Sequence, residues 1–168
     1  LKRRKNCNET RLCNLVRLVP ALVMSCHVTF SGYRNRKRIV RDAIEWFTKH
    51  RNLNRLCFHI EVKDRRCWHE HMDGACTTTS SLSFPREFLI ELDNRLDAKQ
   101  YLITLFHELM HVEQRLRNRH QQRFAPKFTN KWMGEIISSD ISYEDEPWEV
   151  EAFDMQVKLY EEYTCHAE

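Results

Sequence analysis

An alternation of apolar and polar side chains begins at Leu22 and is the first clear pattern in the chain. Its apolar face carries Leu22, Met24, Cys26, Val28 and Phe30, and its mixed face carries Val23, Ser25, His27 and Thr29. Because successive side chains of a β-strand point to opposite faces, the alternation predicts a strand with one buried face.

Two later segments show the same period. The inward positions are Phe58, Ile60 and Val62 within residues 56 to 62, and Phe88, Ile90 and Leu92 within residues 87 to 92. The run ACTTTSSLSF between them has the β-branched character of another strand, and Asp73-Gly74 before it is a turn signal. We expect EFLIELD to be an edge strand, either purely structural or beside a cleft where an extended peptide adds to the sheet.

Apolar residues recur at helical spacing in three other segments. Ile39, Val40, Ala43, Ile44 and Phe47 predict a helix over about 36 to 50. Asp97 followed by Gln100 resembles a capping box, and the apolar positions after it predict a helix as far as about 118. Pro147 is typical of a first helical turn and begins a last helix. Residues 120 to 146 are predicted to be a long irregular connection, in which Gly134 marks a turn.

These elements predict an α+β fold, with a small mixed β-sheet packed on the helix over 97 to 118 and on a second, C-terminal helix. A chain of 168 residues that is 42% hydrophobic has the size of one compact domain, residues 1 to 168. Residues 1 to 20 could form a flexible basic extension of that domain.

Charge and cysteine content favour some partners over others. The 27 Lys and Arg against 24 Asp and Glu give a net charge of +3, which is too mild to predict a nucleic-acid partner, although Arg34 to Arg41 is a basic cluster. The oligomeric state stays open. Seven irregularly spaced cysteines predict mostly free thiols in a reducing, cytoplasmic compartment. No apolar run is long enough for a membrane span, and Arg17 and Pro20 interrupt the signal-like start, so we favour a strand there over an export signal.

The helix over 97 to 118 contains His107-Glu108-Leu109-Met110-His111. Residues four apart lie about 40° from each other around a helix, so both imidazoles project from one face and could chelate zinc. Glu108 would then serve as the general base that takes a proton from a metal-bound water. Two surface histidines would give the same pattern, but the apolar neighbours indicate that these point into the protein.

A third ligand has to come from elsewhere in the chain. His120 lies about half a turn away from His111 on an ideal helix and would face the wrong way. Glu149 and Glu151 lie about 200° apart on the last helix, so only one of them can face the metal. We favour Glu151, because it shares a face with the more continuous apolar stripe: Trp148, Ala152, Met155 and Leu159. An ordinary solvated acidic helix start would explain both glutamates equally well.

HELMH followed by a Glu-Ala pair on a later helix resembles the gluzincin class of zinc metallopeptidases. More narrowly, HELMHVEQ, KWMG and YEDEPWEVEAF are similar to minimal zincin-like proteins encoded by bacteriophages and related viruses, over about residues 87 to 160. The resemblance implies a zincin-like fold, a Zn²⁺ cofactor held by His107, His111 and Glu151, Glu108 as base, and a peptide or protein substrate. Larger gluzincins carry an acidic residue four positions after the third ligand, but Met155 stands there, so the histidines have no orienting carboxylate identifiable from the sequence.

Other features leave alternatives open. Tyr143 could donate to the oxyanion of a tetrahedral intermediate, although a structural loop tyrosine is favoured. A second metal site is conceivable at Cys67, His69, His71 and Cys76, although exposed thiols and solvated histidines are favoured. The main alternative to a peptidase is a zincin-fold protein that binds metal in a structural or interaction role, for example in a virus particle. A nucleic-acid binder that uses Arg34 to Arg41 is a further alternative.

Overall fold

A computed structural model describes residues 26–32, 36–66, 72–79, 84–123 and 128–167. Its strands are β1 (Cys26–Gly32), β2 (Phe58–Arg65), β3 (Gly74–Thr78), β4 (Glu87–Asp93), β5 (His120–Arg123), β6 (Thr129–Trp132) and β7 (Glu135–Ile137). Its α-helices are α1 (Lys37–His50), α2 (Ala98–Leu116) and α3 (Pro147–Ala167), and a 3-10 turn, Tyr143–Asp145, precedes α3. The predicted α+β class is confirmed.

Four strands form a mixed sheet in the order β1-β2-β4-β3. β1, β2 and β4 are parallel, and β3 is antiparallel to β4. The apolar faces predicted for β2 and β4 are buried, since Phe58, Ile60, Val62, Phe88, Ile90 and Leu92 all belong to the core. The strand predicted from Leu22 is seen from Cys26 onward, and its earlier part lies outside the described residues.

The prediction that EFLIELD is an edge strand is wrong. β4 lies between β2 and β3 and pairs with both. The chain returns after Asp73 to place the short, threonine-rich β3 on the outer side of β4, so β3 forms that edge of the sheet. The edge strand next to α2 is therefore Gly74–Thr78, a shorter strand than ACTTTSSLSF suggested.

The three predicted helices are present, and the bounds of α1 and α2 lie within two residues of those predicted. The side chain of Asp97 accepts a hydrogen bond from the backbone nitrogen of Gln100 at 2.9 Å, which starts α2 at the expected cap. α2 is buried around most of its circumference, because it packs on the sheet and also contacts α1 and α3. Pro147 is the first residue of α3, as predicted.

The prediction of an irregular connection between α2 and α3 is wrong. This connection contains an antiparallel sheet of order β5-β6-β7. Its strands are only three or four residues long and largely polar, so they lack the alternation that marks a half-buried strand. Met133 and Gly134 both have positive φ, at 53° and 94°, which suits the tight turn between β6 and β7. The turn expected at Gly134 is therefore confirmed.

Some sequence-based expectations fall outside the described residues. These include the N-terminal extension, Arg34 of the basic cluster, and Cys67, His69 and His71. The cysteines that the structure describes, Cys26, Cys57, Cys76 and Cys165, are free thiols. Within the described ranges, no helix has the length and apolar character that crossing a bilayer requires.

Candidate metal centre

His107 and His111 lie one turn apart on the buried middle of α2. Their Nε2 atoms are 3.2 Å apart, and their rings meet edge to face. Both side chains are more than nine-tenths buried, as the apolar neighbours of the motif predicted. The two imidazoles therefore point inward and converge on one point, which confirms the geometry expected from their spacing.

Glu149, in the first turn of α3, brings a carboxylate to the same point. Its Oε2 lies 3.2 Å from Nε2 of His107, and its Oε1 lies 3.3 Å from Nε2 of His111. Burial alone would raise the pKa of Glu149, but hydrogen bonds from His107, His111 and Tyr143 outweigh that effect and hold the pKa far below its usual range. Glu149 is therefore ionised and available as a ligand.

The three side chains fit a metal ion. One ligand atom from each of His107, His111 and Glu149 lies within 4.8 Å of the others. Ligands at ~2.0–2.1 Å from a tetrahedral ion are about 3.3 Å apart, close to the separations of 3.2 and 3.3 Å seen here. The two imidazole nitrogens and the carboxylate of Glu149, whose two oxygens each face one of them, could therefore hold a metal ion.

Glu151, which the sequence analysis preferred as third ligand, lies elsewhere. Its Oε2 accepts from Nε2 of Gln114 at 2.9 Å, and its Oε1 accepts from Nη1 of Arg119 at 2.6 Å. The inward face of α3 is centred on Ala152, which is fully buried. At about 100° per residue, Glu149 lies about 60° from Ala152 and Glu151 about 100° away on the other side. The choice of Glu151 is corrected to Glu149, because partly exposed Met155 had been counted in the inward stripe.

His120 is not part of the metal-binding group, as expected, but for a different reason. α2 ends at Leu116, and Asn118, with φ of 58°, turns the chain into β5. The ring of His120 is buried and lies flat on Trp148, with ring centroids 4.1 Å apart. Burial lowers its pKa to about 4, and the charge of Arg115 acts in the same direction. His120 is thus a neutral packing residue beside the site.

Glu108 is buried next to the metal-binding group and faces the edge strand β3. Burial raises the pKa of Glu108 to about 7, and the charge of His107 opposes this rise while that of Glu149 adds to it. A Cβ atom on Gly74 would lie 2.9 Å from Oε1 of Glu108, so the absence of a side chain there leaves room for the carboxylate. A carboxylate of this pKa can accept a proton near neutral pH.

A cleft of about 590 Å³ opens beside the metal-binding group and reaches His107 and Glu108. Its lining includes Gly74, Thr104, His107, Glu108, Tyr143 and Phe153. No protein-family model matches this chain, and neither the curated proteins nor the solved structures give a significant match. The chemistry of the site is therefore argued from its own geometry.

Tyr143 lies at the mouth of this cleft, and its side chain is held by the site itself. Its hydroxyl donates to Oε2 of Glu149 at 2.7 Å, while 58% of the residue is exposed. Burial of the hydroxyl and the charge of Glu149 raise the pKa of Tyr143, so the phenol stays protonated and remains a donor. Tyr143 is therefore more than a loop tyrosine, since it orients the carboxylate of Glu149, the third candidate ligand.

Gln114 belongs to the site, although the sequence analysis did not single it out. It is fully buried, and its Oε1 lies 3.0 Å from Nδ1 of His111. Its position three residues after His111 puts it on the same face of α2, and a polar residue within the apolar pattern of that helix was the available signal. The contact with Nδ1 of His111 is thus made by an amide and not by a carboxylate.

Proposed function

We propose that this protein is a zinc-dependent peptidase in which His107, His111 and Glu149 hold the metal and Glu108 is the general base. The observation that carries the proposal is the convergence of three buried ligand atoms within 4.8 Å beside an open cleft, with His107 and Glu108 in the lining of that cleft. A metal site that is purely structural has no use for a buried base of raised pKa facing the cleft.

The choice of zinc follows from the ligand set. Two imidazoles and one carboxylate make a three-ligand set that leaves one place open for water or substrate, as catalytic zinc sites do. Zinc bound there would polarise the scissile carbonyl and make a water molecule more acidic.

The residues around the site have separate tasks in peptide hydrolysis. Glu108 takes a proton from the attacking water and can return it to the leaving amine, and a pKa of about 7 suits both steps. Tyr143 lines the cleft and orients Glu149 by donating its single hydroxyl hydrogen to Oε2 at 2.7 Å. Exclusion of bulk water by the buried walls of the site strengthens each of these interactions.

The edge strand β3 offers a place for the substrate backbone. In the described part of the chain, β3 pairs with β4 on one side only, and Gly74 at its start lines the cleft. An extended peptide could add to the free side through main-chain hydrogen bonds and lie across Glu108. β3, and not β4, would then be the edge strand that binds the substrate, which would be a peptide or protein.

Two measurements on one preparation test the proposal. Elemental analysis of the purified chain should find one zinc per molecule, and a broad peptide library should be cleaved by the zinc-loaded protein. Glu108→Gln serves as the matched control, because it keeps the size of the side chain and should keep the zinc but not the cleavage. One zinc per chain with no cleavage of any peptide by the native protein would favour the alternative, a metal-binding structural or interaction protein.

A further inference from the structure

Gln114 makes three hydrogen bonds with its side chain, which is fully buried. Its Nε2 donates to the backbone oxygen of Trp148 at 2.8 Å and to Oε2 of Glu151 at 2.9 Å. Its Oε1 lies 3.0 Å from Nδ1 of His111. One amide thus connects a metal-binding histidine on α2 to two groups among the first five residues of α3.

The two partners on α3 determine which way round the amide lies. A backbone carbonyl and a carboxylate can only accept hydrogen bonds, so the NH₂ group of Gln114 has to face Trp148 and Glu151. The amide oxygen therefore faces His111, and since that oxygen can only accept, Nδ1 of His111 has to carry the hydrogen. The Nε2 atom of a neutral His111 is then left with a lone pair, which is the form that binds a metal.

Glu151 is itself fixed in place. Nη1 of Arg119 donates to its Oε1 at 2.6 Å, and the guanidinium lies over the ring of Trp132, 5.4 Å from its centroid. Arg119 immediately precedes β5, and Trp132 ends β6. The small sheet therefore positions Arg119, which in turn positions the carboxylate of Glu151. Without Glu151, only the carbonyl of Trp148 would orient the amide.

We propose that Arg119, Glu151 and Gln114 form a positioning chain that keeps His111 in the Nδ1–H tautomer, with Nε2 directed at the metal. His107 has no equivalent, because its Nδ1 is buried and lacks a hydrogen-bond partner among the described residues. The chain rests on the metal site of the proposed function but not on peptidase activity. Glu151 thus acts on the metal site through Gln114 and His111 and does not bind the metal itself.

Loss of a partner that orients a ligating histidine typically lowers metal affinity about 10- to 100-fold. Gln114→Leu removes the acceptor for His111 while keeping most of the side-chain volume, so zinc affinity should fall within that range. Glu151→Gln turns a pure acceptor into a group that also donates, so the carbonyl of Trp148 alone would still require the NH₂ group of Gln114, and zinc affinity should fall by a smaller factor.

The experiment measures two quantities for each variant. Zinc affinity comes from competition with a chelator of known strength. The tautomers of His111 and His107 come from long-range ¹⁵N–¹H correlation spectra of the zinc-free chain at pH 8. Glu161→Gln is the matched control, since it removes an exposed carboxylate farther along the same helix. Its affinity and its spectra should equal those of the native chain.

The expected result is a single Nδ1–H signal for His111 in the native chain and a mixture of tautomers in Gln114→Leu, with the His107 signals unchanged. A folded Gln114→Leu variant with native affinity and an unchanged His111 tautomer would overturn the proposal. If that variant does not fold, Glu151→Gln decides in the same way, since its side chain is 29% exposed and tolerates the change. If the native chain binds no zinc, the proposed function fails, while the spectra of the zinc-free chain still decide the tautomer.

Discussion

Nε2 of His107 lies 3.2 Å from Oε2 of Glu149, although 42 positions separate the two residues along the chain. The contact joins the middle of α2 to the first turn of α3. The metal-binding group is therefore complete only when these two helices are packed together.

The first prediction concerns the third ligand. Glu149→Ala leaves two histidines, which hold zinc weakly, so zinc affinity should fall by more than about 100-fold. Glu151→Ala should cost less, about 10- to 100-fold, since it acts only through Gln114. His120→Phe, which keeps the packing on Trp148, should leave zinc affinity nearly unchanged, because His120 is not in the metal-binding group. Zinc titration of the three variants gives the order, and a larger loss in Glu151→Ala than in Glu149→Ala would restore Glu151 as the ligand.

The second prediction concerns the base. Glu108→Gln should retain one zinc per chain and lose about 10²- to 10⁴-fold in turnover, because an amide cannot accept the proton of the attacking water. Metal content and hydrolysis rate are to be measured on the same sample. Turnover at the native rate would exclude Glu108 as the base, and loss of zinc would show that the variant had disturbed the ligands instead.

The third prediction concerns the room that Gly74 leaves. A Cβ there would lie 2.7 Å from Cγ2 of Thr104 and 2.9 Å from Oε1 of Glu108, so Gly74→Ala should displace one or both side chains. We expect a loss of about 1–3 kcal/mol in the free energy of unfolding, together with a fall in turnover.

Chemical denaturation and peptide hydrolysis of this variant are to be compared with those of Gly74→Ala/Thr104→Ser. The added serine removes the contact with Cγ2 of Thr104 and leaves the contacts with Oε1 of Glu108 at 2.9 Å and with Cδ2 of Leu92 at 3.1 Å. Recovery of stability without recovery of turnover would assign the loss of activity to the displaced base. Native stability and native turnover of Gly74→Ala would show that β3 accommodates a Cβ at this position without displacing Thr104 or Glu108.

The fourth prediction concerns His120 and pH. Its pKa is lowered from 6.5 to about 4 by burial, so between these pH values the unfolded chain binds a proton that the folded chain does not. Stability should therefore fall as pH drops from about 6.5 to 4, and His120 contributes on the order of 3 kcal/mol to that fall.

His120→Phe keeps the flat packing on Trp148 and removes the titration, which isolates this contribution. The difference in unfolding free energy between the variant and the native chain should grow in the variant's favour as the medium is acidified. Parallel curves for the two proteins across this pH range would contradict a buried, neutral His120.

The fifth prediction concerns the thiols. Burial raises the pKa of both Cys26 and Cys76 to about 12, whereas Cys57 and Cys165 are exposed. Since the thiolate is the reactive form, iodoacetamide at pH 8 should label Cys57 and Cys165 before Cys26 and Cys76. Mass spectrometry of timed samples gives the order, and early labelling of Cys76 would show that the wall of the site opens in solution.

Local patterns in the sequence were enough for the elements with one buried face. The alternation of Phe58, Ile60 and Val62, and the cap at Asp97, each reflect a local rule, and the structure has both. The place of a strand within its sheet is not a local property, because it depends on which strands return to pair with it. For this reason the sequence pattern predicts β4 as an edge strand of the sheet and does not predict the polar strands β5 to β7.

In the candidate site, too, the sequence predicts what depends on local spacing and does not predict what depends on the packing of α3 against α2. Spacing alone brought His107 and His111 together and identified the buried Glu108, because all three lie on one helix. The choice between Glu149 and Glu151 depended on how α3 is rotated against α2, to which the partly exposed Met155 was a poor guide. Gln114 was missed because an isolated glutamine in a helix carries no signal until its partners from α3 are known.

The small sheet between the ligand helices has a consequence for how such sites vary among proteins. β5 begins just after α2, and its His120 packs on Trp148, beside the third ligand, so the position of Glu149 is determined by this contact rather than by the length of the connection. Insertions at the turn of Met133 and Gly134 would lengthen the interval between His111 and Glu149 without moving either. A search for related proteins should therefore leave that interval open and require instead an aromatic residue directly before the glutamate.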